Sequence, residues 1–542
     1  MPIKLSKGIG EIQGDELRYI WQAPDVYDEV HDNNVWLIYG RKGSGKSTLV
    51  EYLGSDSQNS QVITIRPRKT NLFQKVLVAI NEVKDDDRLI EESISNTIEF
   101  ILFAQIMRSV VGEANKFISG GNLETIYNFL CQYGLHQGSV LRKAISLISK
   151  QTGKISLVPD ISQLLNTLEG DVEYEDAKDA LIEYTKEINK SVVLCIDDID
   201  QIGFSFSRYD RLFVNGLLIL MGRNNVNFIE SGAKIRIFLT IPSELYFHST
   251  MWGADWITGK SNCLNWDDPK DMLGLVNKRI AMEMNVRKHH KRSKDDIYSI
   301  DSDKTWNRIF PTSIKNKLNR DESSFDYLLR HTFYTPRHML ALCDKVLTRI
   351  EHEAPADIDL FDLGEQFSLH HWNDIFRKSV REFTEEAEKD FRAIFNNIYE
   401  NLEKVISAFK SRPGIWNRAQ LIQFIEKEGL KISRKDKGIK HESEDLVYIL
   451  HRIGFLGLGV RRINEAPTGS QAYELKFSYL ERLPYKGGWE LAVVSPVFYT
   501  TYDIRPVDHI IVNPHKDLLL PVRILQSIMS YDIVTNNSLA NC

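Results

Sequence analysis

The chain has 542 residues, of which 42% are hydrophobic and 26% charged, so it can bury more than one hydrophobic core. Its formal net charge of -6 excludes a global basic field, and any contact with nucleic acid would need a local basic patch. The five cysteines form no CxxC pair, and no uninterrupted apolar stretch approaches the roughly 18 residues that span a bilayer. We therefore expect a cytoplasmic, multi-domain protein with no structural zinc and no membrane contact.

The first predicted elements are a strand, a glycine-rich loop and a helix. The apolar run Val35–Tyr39 leads into Gly40–Ser47, which matches the pattern G-x-x-x-x-G-K-[ST] in full. Glycines allow such a loop to turn its backbone N–H groups inward, around a compact negative charge at the start of a helix. The pattern predicts a phosphate-binding loop that takes ATP or GTP, since the base is selected by residues outside this loop.

Three residues at the end of the loop have separate expected roles. Lys46 would reach the β- and γ-phosphates of ATP, Ser47 would place its hydroxyl on Mg²⁺, and Thr48 lies where the α-phosphate is expected. The expected nucleotide-binding residues are Gly40, Gly43, Ser44, Gly45, Lys46, Ser47 and Thr48.

Strand and helix patterns alternate after the loop. A short β-branched run, Val62–Ile65, is followed by helical periodicity over much of residues 72–180, and strand-like apolar runs return at Val192–Ile196 and Ile235–Ile241. A helical segment, Arg211–Met221, separates the last two runs. This order predicts β-α-β units in a three-layer α/β domain, with a helical insertion between the second and third strands.

Paired acids follow the third predicted strand. A carboxylate at the end of a neighbouring strand can hold the magnesium shell and a lytic water. We expect Asp197 to bind the Mg²⁺ shell and Asp198 to polarise the attacking water; the alternative is a plain helix cap. The acids lie about 150 positions after Lys46, more than a compact P-loop core spans, so we place the insertion at residues 72–185.

The run Cys195–Asp200 resembles the hydrophobic-Asp-Asp-hydrophobic-Asp box of STAND and KAP P-loop ATPases, relatives of the origin-recognition AAA+ proteins. The resemblance implies an additional-strand ATPase that turns over slowly, because Asp198 has a shorter reach to water than the glutamate of most AAA+ enzymes. It also implies a polar sensor at Thr240 and an arginine sensor at Arg337. The alternative for Arg337 is a surface helix residue that follows Pro336 at the first helical position.

The rest of the chain has helical and then mixed patterns. Ser324–Ile350 and Phe361–Lys410 have helical periodicity and predict a helical lid region at 281–410, behind an ATPase core at 1–280. Two further helices and two strand-like runs predict a winged-helix-like domain at 411–542. These four elements are Ala419–Lys427, Ser443–Arg452, Phe455–Arg461 and Ala472–Phe477.

Nucleic-acid binding through residues 411–465 is an alternative for this last region. In a winged helix the second helix, here Ser443–Arg452, can enter the major groove, and seven basic residues surround it. Glu442, Glu444 and Asp445 at its start would repel phosphate, and winged helices also serve for packing or oligomerisation. The seven basic residues are Arg434, Lys435, Lys437, Lys440, Arg452, Arg461 and Arg462.

These expectations predict a Mg²⁺-dependent ATPase switch that couples its nucleotide state to homo-oligomerisation or to a separate effector protein. Proteins similar to this group act in bacterial anti-phage defence, which is an implication of the resemblance alone. Two alternatives are a DNA-binding ATPase that loads or remodels on DNA, and a nucleotide-stabilised scaffold with little turnover.

Overall fold

The structure, a computed structural model, divides into two compact units. The N-terminal unit comprises Asp25–Lys42 and Lys46–Leu264, and the C-terminal unit comprises Met1–Pro24, Gly43–Gly45 and Asn265–Cys542. The residues that the structure describes are 5, 17, 26–31, 35–56, 60–66, 87–114, 120–137, 172–188, 191–199, 208–249, 259–288, 305–353, 367–435, 440–441, 443–462, 466–481, 485, 487–508 and 510–530.

The N-terminal unit contains a parallel five-stranded sheet. Its strands are β1 Leu37–Gly40, β2 Ser60–Ile65, β3 Ser191–Ile196, β4 Ile235–Pro242 and β5 Ser261–Cys263. They are ordered β2-β3-β4-β1-β5, so that β4 lies between β1 and β3. β1 and β4 are buried along their whole length, which explains why β1 is apolar throughout and why β4 is apolar except at the buried Arg236 and Thr240. The strands predicted at β1, β2, β3 and β4 are confirmed.

The described residues of the N-terminal unit also form helices. They are α1 Val26–His31, α2 Lys46–Asp56, α3 Asp87–Ala114, α4 Asn122–Gln132, α5 Val172–Glu187, α6 Arg208–Ser231 and α7 Ser243–Ser249. Helix α2 contacts β1 and β2, α3 contacts β3, and α6 contacts β4. Leu194 and Ile237 of the sheet share one hydrophobic core with Phe103 of α3 and Phe213 of α6. The unit is therefore a mixed α/β structure with a parallel sheet, compatible with the predicted three-layer fold.

Helices α3, α4 and α5 lie between β2 and β3, as the predicted insertion requires. They meet through aromatic rings, since the ring centroid of Phe100 lies 6.5 Å from that of Phe129 and 5.4 Å from that of Tyr174. Among the described residues, one stretch, Ile90–Gly112 of α3, is long and apolar enough to cross a membrane. However, 72% of its most apolar window is buried inside the protein, which is consistent with the core helix of a soluble protein.

The C-terminal unit begins with helices and a short hairpin. These elements are α8 Pro269–Lys288, α9 Trp306–Ile309, β6 Ser313–Lys315, β7 Asp321–Ser323, α10 Ser324–Leu329, α11 Pro336–Glu353 and α12 Leu369–Ile398. The helix predicted over Ser324–Ile350 is interrupted between α10 and α11. Tyr334 has a left-handed φ of +52°, and the proline that starts α11 has no N–H with which to continue α10. Residues 361–366 of the next predicted helix lie outside the described residues.

The last part of the C-terminal unit contains two antiparallel sheets. Its elements are β8 Tyr399–Glu400, α13 Leu402–Ser407, β9 Ile415–Asn417, α14 Arg418–Lys427, β10 Ile432–Arg434, β11 Lys440–His441, α15 Ser443–Ile453, β12 Leu456–Arg462, β13 Ser470–Lys476, β14 Leu491–Val494, β15 Leu518–Pro521 and α16 Val522–Ser530. The sheet orders are β11-β10-β8 and β15-β13-β12-β14-β9. The four elements predicted within 411–542 are confirmed as α14, α15, β12 and β13, whereas the predicted domain limits stay predictions.

Candidate functional site

The glycine-rich segment joins β1 to α2, as the strand-loop-helix pattern predicts. β1 ends at Gly40 and α2 begins at Lys46. Gly43 has a φ of +89° and Gly45 a φ of +102°, a left-handed conformation that side chains other than glycine rarely adopt. At these two positions the loop therefore requires the glycines that the pattern contains.

Lys46 folds back over its own loop. Its ammonium Nζ donates hydrogen bonds to the carbonyl oxygens of Gly40, at 2.8 Å, and Arg41, at 3.1 Å. These two carbonyl oxygens of the loop therefore replace water as hydrogen-bond acceptors of the Lys46 ammonium, a group that is strongly hydrated in solution. The same group would be a donor for a phosphate oxygen, because all three of its N–H groups can turn about a flexible stem.

Ser47 meets an acid from the neighbouring strand. Its hydroxyl Oγ donates to Asp198 Oδ1 at 3.1 Å, although the two residues are 151 positions apart. Asp198 has a φ of +58°, and its side chain is 31% exposed. The sequence predicts Ser47 and Asp197 as ligands of one magnesium ion. In the structure, Ser47 instead contacts Asp198, the second acid of the pair.

Asp197 is buried and accepts a hydrogen bond from a different residue. Its side chain is 1% exposed, and Thr240 Oγ1 of the adjacent strand β4 donates to Asp197 Oδ1 at 2.5 Å. The other carboxylate oxygen, Oδ2, is buried and accepts no hydrogen bond from the described residues. The predicted sensor Thr240 therefore lies at the acid pair. Asp200, the third acid of the predicted box, lies outside the described residues.

An arginine that the sequence analysis did not select completes this cluster. Arg66 directly follows β2, and its Nε lies 3.5 Å from Asp197 Oδ2 and 3.7 Å from Asp198 Oδ2. Its guanidinium also donates to the carboxylate of Glu51 on α2. Burial alone would lower the pKa of Arg66, but the hydrogen bond to Glu51 and the charges of all three acids outweigh it and raise the pKa above its ordinary value.

The position of Arg66 follows from the register of two parallel strands. Ile65 of β2 pairs with Ile196 of β3, so the residues that follow them emerge side by side at the same edge of the sheet. The sequence signal was available, since Arg66 and Asp197 each come directly after a β-branched apolar run. What the sequence did not reveal is that β2 and β3 are neighbours.

The oxygen atoms of this cluster fit a magnesium ion. Mg²⁺ prefers hard oxygen ligands and is bound by one or two carboxylates together with water and substrate phosphates. Ser47 Oγ and the two carboxylates supply such atoms, and Asp197 Oδ2 is buried and accepts no hydrogen bond from the described residues. Within the described ranges no group of three His, Cys, Asp or Glu side chains forms a metal cage.

Three other predicted site residues, Ser44, Thr48 and Arg337, lie in or next to the glycine-rich loop. Ser44 is buried, its Oγ has no hydrogen-bond partner among the described residues, and its carbonyl accepts a hydrogen bond from the Trp266 indole at 2.8 Å. Thr48 is half-buried in the first turn of α2. Arg337 of the C-terminal unit donates its backbone N–H to the Gly43 carbonyl at 3.3 Å, and both residues are grouped in that unit.

The position of Arg337 in α11 agrees with the alternative that it is a surface helix residue following Pro336. Pro336 is the first residue of α11, and Arg337 is exposed. The structure brings the backbone of Arg337 to the loop tip. The role of its side chain as a sensor stays a prediction.

The basic residues predicted to contact nucleic acid differ in exposure. Arg434 is buried, and burial lowers the pKa of Arg452, whereas Arg461 is exposed. At the start of α15, Arg418 donates to both oxygens of Glu444, at 2.7 and 2.9 Å. Lys437 and Glu442 lie outside the described residues. Two of the seven basic side chains are therefore withdrawn from the surface that a phosphate backbone would contact.

Sequence comparison adds no relative to these observations, and the chemistry of the site rests on its residues and their geometry. No protein-family model matches the chain, and no curated protein matches its sequence.

Proposed function

We propose that the chain binds and hydrolyses ATP with Mg²⁺ at residues 40–48, and that its nucleotide state controls self-assembly or a separate effector protein. The observation that carries the proposal is the hydrogen bond between Ser47 and Asp198. It joins a hydroxyl at the start of the helix after the loop to a carboxylate at the end of a neighbouring strand, which are the two groups a magnesium–nucleotide site combines.

The strand order supports the finer fold class. β4 lies between β1, which leads into the loop, and β3, which leads into the acids. That arrangement fits an additional-strand, AAA+-like P-loop fold, the class that the Asp-Asp box resembles. The order α14, α15, β12, β13 likewise supports a winged-helix-like C-terminal domain.

Each residue of the proposed site has a distinct task. The N–H groups of the glycine-rich loop would donate to phosphate oxygens, and Lys46 would exchange its two carbonyl acceptors for the β- and γ-phosphates. Ser47, Asp198 and Asp197 would hold Mg²⁺, which when bound neutralises phosphate charge. Thr240 would keep Asp197 oriented through its hydrogen bond. Positioning and charge neutralisation are most of what phosphoryl transfer requires.

A scaffold with little turnover is the second candidate function. Arg66 sits against both acids and reduces the negative charge that would orient a lytic water. This arrangement would slow hydrolysis. The DNA-loading alternative has less support, because Arg434 is buried. Control of an effector and anti-phage defence are proposals that rest on the resemblance, and a cytoplasmic location is a proposal that rests on the scattered cysteines and the apolar pattern of the sequence.

Lys46→Ala tests the proposal when ATP binding and phosphate release are measured separately. We expect binding of a fluorescent ATP analogue to weaken at least about tenfold, because hydrogen bonds from an ammonium to phosphate oxygens contribute more than about 1.4 kcal/mol. Lys42→Ala is the matched control, since Lys42 is an exposed lysine of the same loop. Unchanged ATP binding by the Lys46 variant would refute the site.

Two further arms of this experiment separate the candidate functions. Binding without phosphate release in the wild-type protein would favour the scaffold. Phosphate release that rises on addition of DNA, with DNA binding that falls steeply with salt, would favour the DNA-loading alternative.

A further inference from the structure

Three carboxylates of the N-terminal unit surround one guanidinium. Arg66 contacts Glu51 from α2, Asp197 from the end of β3 and Asp198 directly after it. The four groups come from three separate elements, and the arginine is their shared partner. Its side chain is 23% exposed, so it is partly withdrawn from water beside an acid that is almost fully buried.

The arginine faces the same acids that the proposed metal site requires. Asp198 directs Oδ1 to Ser47 and Oδ2 toward Arg66, while Asp197 directs Oδ1 to Thr240 and Oδ2 toward Arg66. Each acid therefore has one oxygen that accepts a hydrogen bond from a hydroxyl and one oxygen that faces the guanidinium. These last two oxygens are the ones a divalent cation would take.

We propose that Arg66 occupies the cation position of the Asp197–Asp198 pair in the nucleotide-free protein and competes with Mg²⁺ for it. The inference rests on the proposed function, and it concerns how that site is regulated. Like charges a few ångströms apart repel strongly in a partly buried site, so the guanidinium must withdraw as the metal enters. An arginine cannot relieve this repulsion by losing its proton.

Glu51 provides the alternative position for the displaced side chain. It lies on the helix that follows the phosphate loop, is 40% exposed, and already accepts a hydrogen bond from the guanidinium. Arg66 can therefore leave the acid pair and keep one ionic partner. In this arrangement Arg66 is a positioning residue that sets how much magnesium is needed before nucleotide is held.

The test is a magnesium titration of the binding of a fluorescent ATP analogue to full-length protein. Arg66→Gln should lower the magnesium concentration at half-maximal binding by about tenfold, because one competing positive charge is removed. Affinity at saturating magnesium should change less than about twofold, a difference under 0.5 kcal/mol. Arg66→Lys, which keeps the charge, should stay close to the wild-type midpoint.

A second readout needs no nucleotide. In EDTA, Arg66→Gln should lower Tm, because three neighbouring carboxylates lose their cation, and millimolar MgCl₂ should restore more of that loss than it adds to wild type. Arg208→Gln is the matched control, since Arg208 also pairs with an acid of the same unit, Asp87, but on a different part of it. Magnesium should not rescue that variant.

Three outcomes would overturn the inference. One is an unchanged magnesium midpoint in Arg66→Gln. Another is weaker ATP binding at every magnesium concentration, which would make Arg66 a phosphate ligand. The third is equal magnesium rescue of Tm in the Arg66 and Arg208 variants. A wild-type protein that binds no ATP analogue at any magnesium concentration would refute the proposed function instead, and the Tm comparison would then decide the inference alone.

Discussion

Replacing Thr240 by valine exchanges one buried hydroxyl for a methyl group and keeps the shape of the side chain. The threonine is 1% exposed, and its Oγ1 donates to Asp197 Oδ1 at 2.5 Å. Valine has a similar shape, so packing changes little. The variant therefore leaves a buried carboxylate oxygen without a donor, at the point where β3 and β4 end.

The expected cost follows from the charge of the acceptor. A hydrogen bond to an ionised group contributes about 1.5–3 kcal/mol, compared with about 1 kcal/mol for a neutral pair. We expect Thr240→Val to lower the free energy of local opening by about 2–3 kcal/mol. Thr185→Val is the comparison, because Thr185 is equally buried but donates to the neutral carbonyl of Ile182. It should lower local stability by about 1 kcal/mol.

Native-state hydrogen exchange of the metal-free protein measures these values from amides of β4 and α5. A double-mutant cycle with Asp197→Ala isolates the pair, and we expect a coupling energy of about 1.5–3 kcal/mol. A coupling energy below about 0.5 kcal/mol would show that Thr240 and Asp197 act independently, and it would refute the assignment of Thr240 as the residue that orients the buried acid.

Two further predictions concern stability. Burial and the neighbouring Arg330 hold the pKa of His331 well below its ordinary value, so unfolded chains bind a proton below pH of about 6.5 that the native protein excludes. Stability present above that pH should fall by about 1.4 kcal/mol at pH 5.5, and this part of the loss should vanish in His331→Phe when urea unfolding is compared at pH 7.5 and 5.5. In the second prediction, a β-carbon at Gly216 of α6 would lie 2.8 Å from Ile94 of α3, so Gly216→Ala should destabilise by about 1–3 kcal/mol. Gly112→Ala, where no described atom lies within 4 Å, should be neutral or stabilise by up to about 1 kcal/mol in the same urea assay, and equal effects of the two substitutions would contradict the close helix contact.

The parts of the fold that sequence reasoning predicted are those determined by local pattern and burial. β1 and β3 are apolar runs and β4 is mostly apolar because both of their faces are covered, and Gly43 and Gly45 mark a loop that needs left-handed residues. Such signals are contained in a few consecutive residues. They locate the glycine-rich loop and the acids without any knowledge of the tertiary structure.

The side-chain contacts within the acid cluster could not be predicted from such local patterns. Which acid meets Ser47 depends on the left-handed backbone of Asp198, which turns the chain after β3 and which no residue pattern specifies. The role of Arg66 depends on the pairing of β2 with β3 across the insertion. Long-range pairing of this kind follows from the whole fold, so side-chain partners at a sheet edge are the least predictable part of such a site.

The C-terminal sheet is a second example of the same limit. β12 and β13 were predicted as two strand-like runs, but the sheet extends to β9, β14 and β15. Leu491–Val494 is a four-residue apolar run that is buried throughout, and β9 has three residues. Runs this short fit a strand or a piece of buried helix equally well, so only their partners decide.

The order of strands in the parallel sheet has a consequence for how the protein is made. β1 pairs on one side with β4 and on the other with β5, and both partners are translated about 200 residues later, which takes about 10–40 seconds at ordinary ribosomal speed. During that interval the apolar strand that precedes the glycine-rich loop lacks both of its partner strands. The growing chain therefore carries an unpaired hydrophobic segment near its N-terminus, and the glycine-rich loop after it cannot reach its final position until residue 263 has emerged from the ribosome.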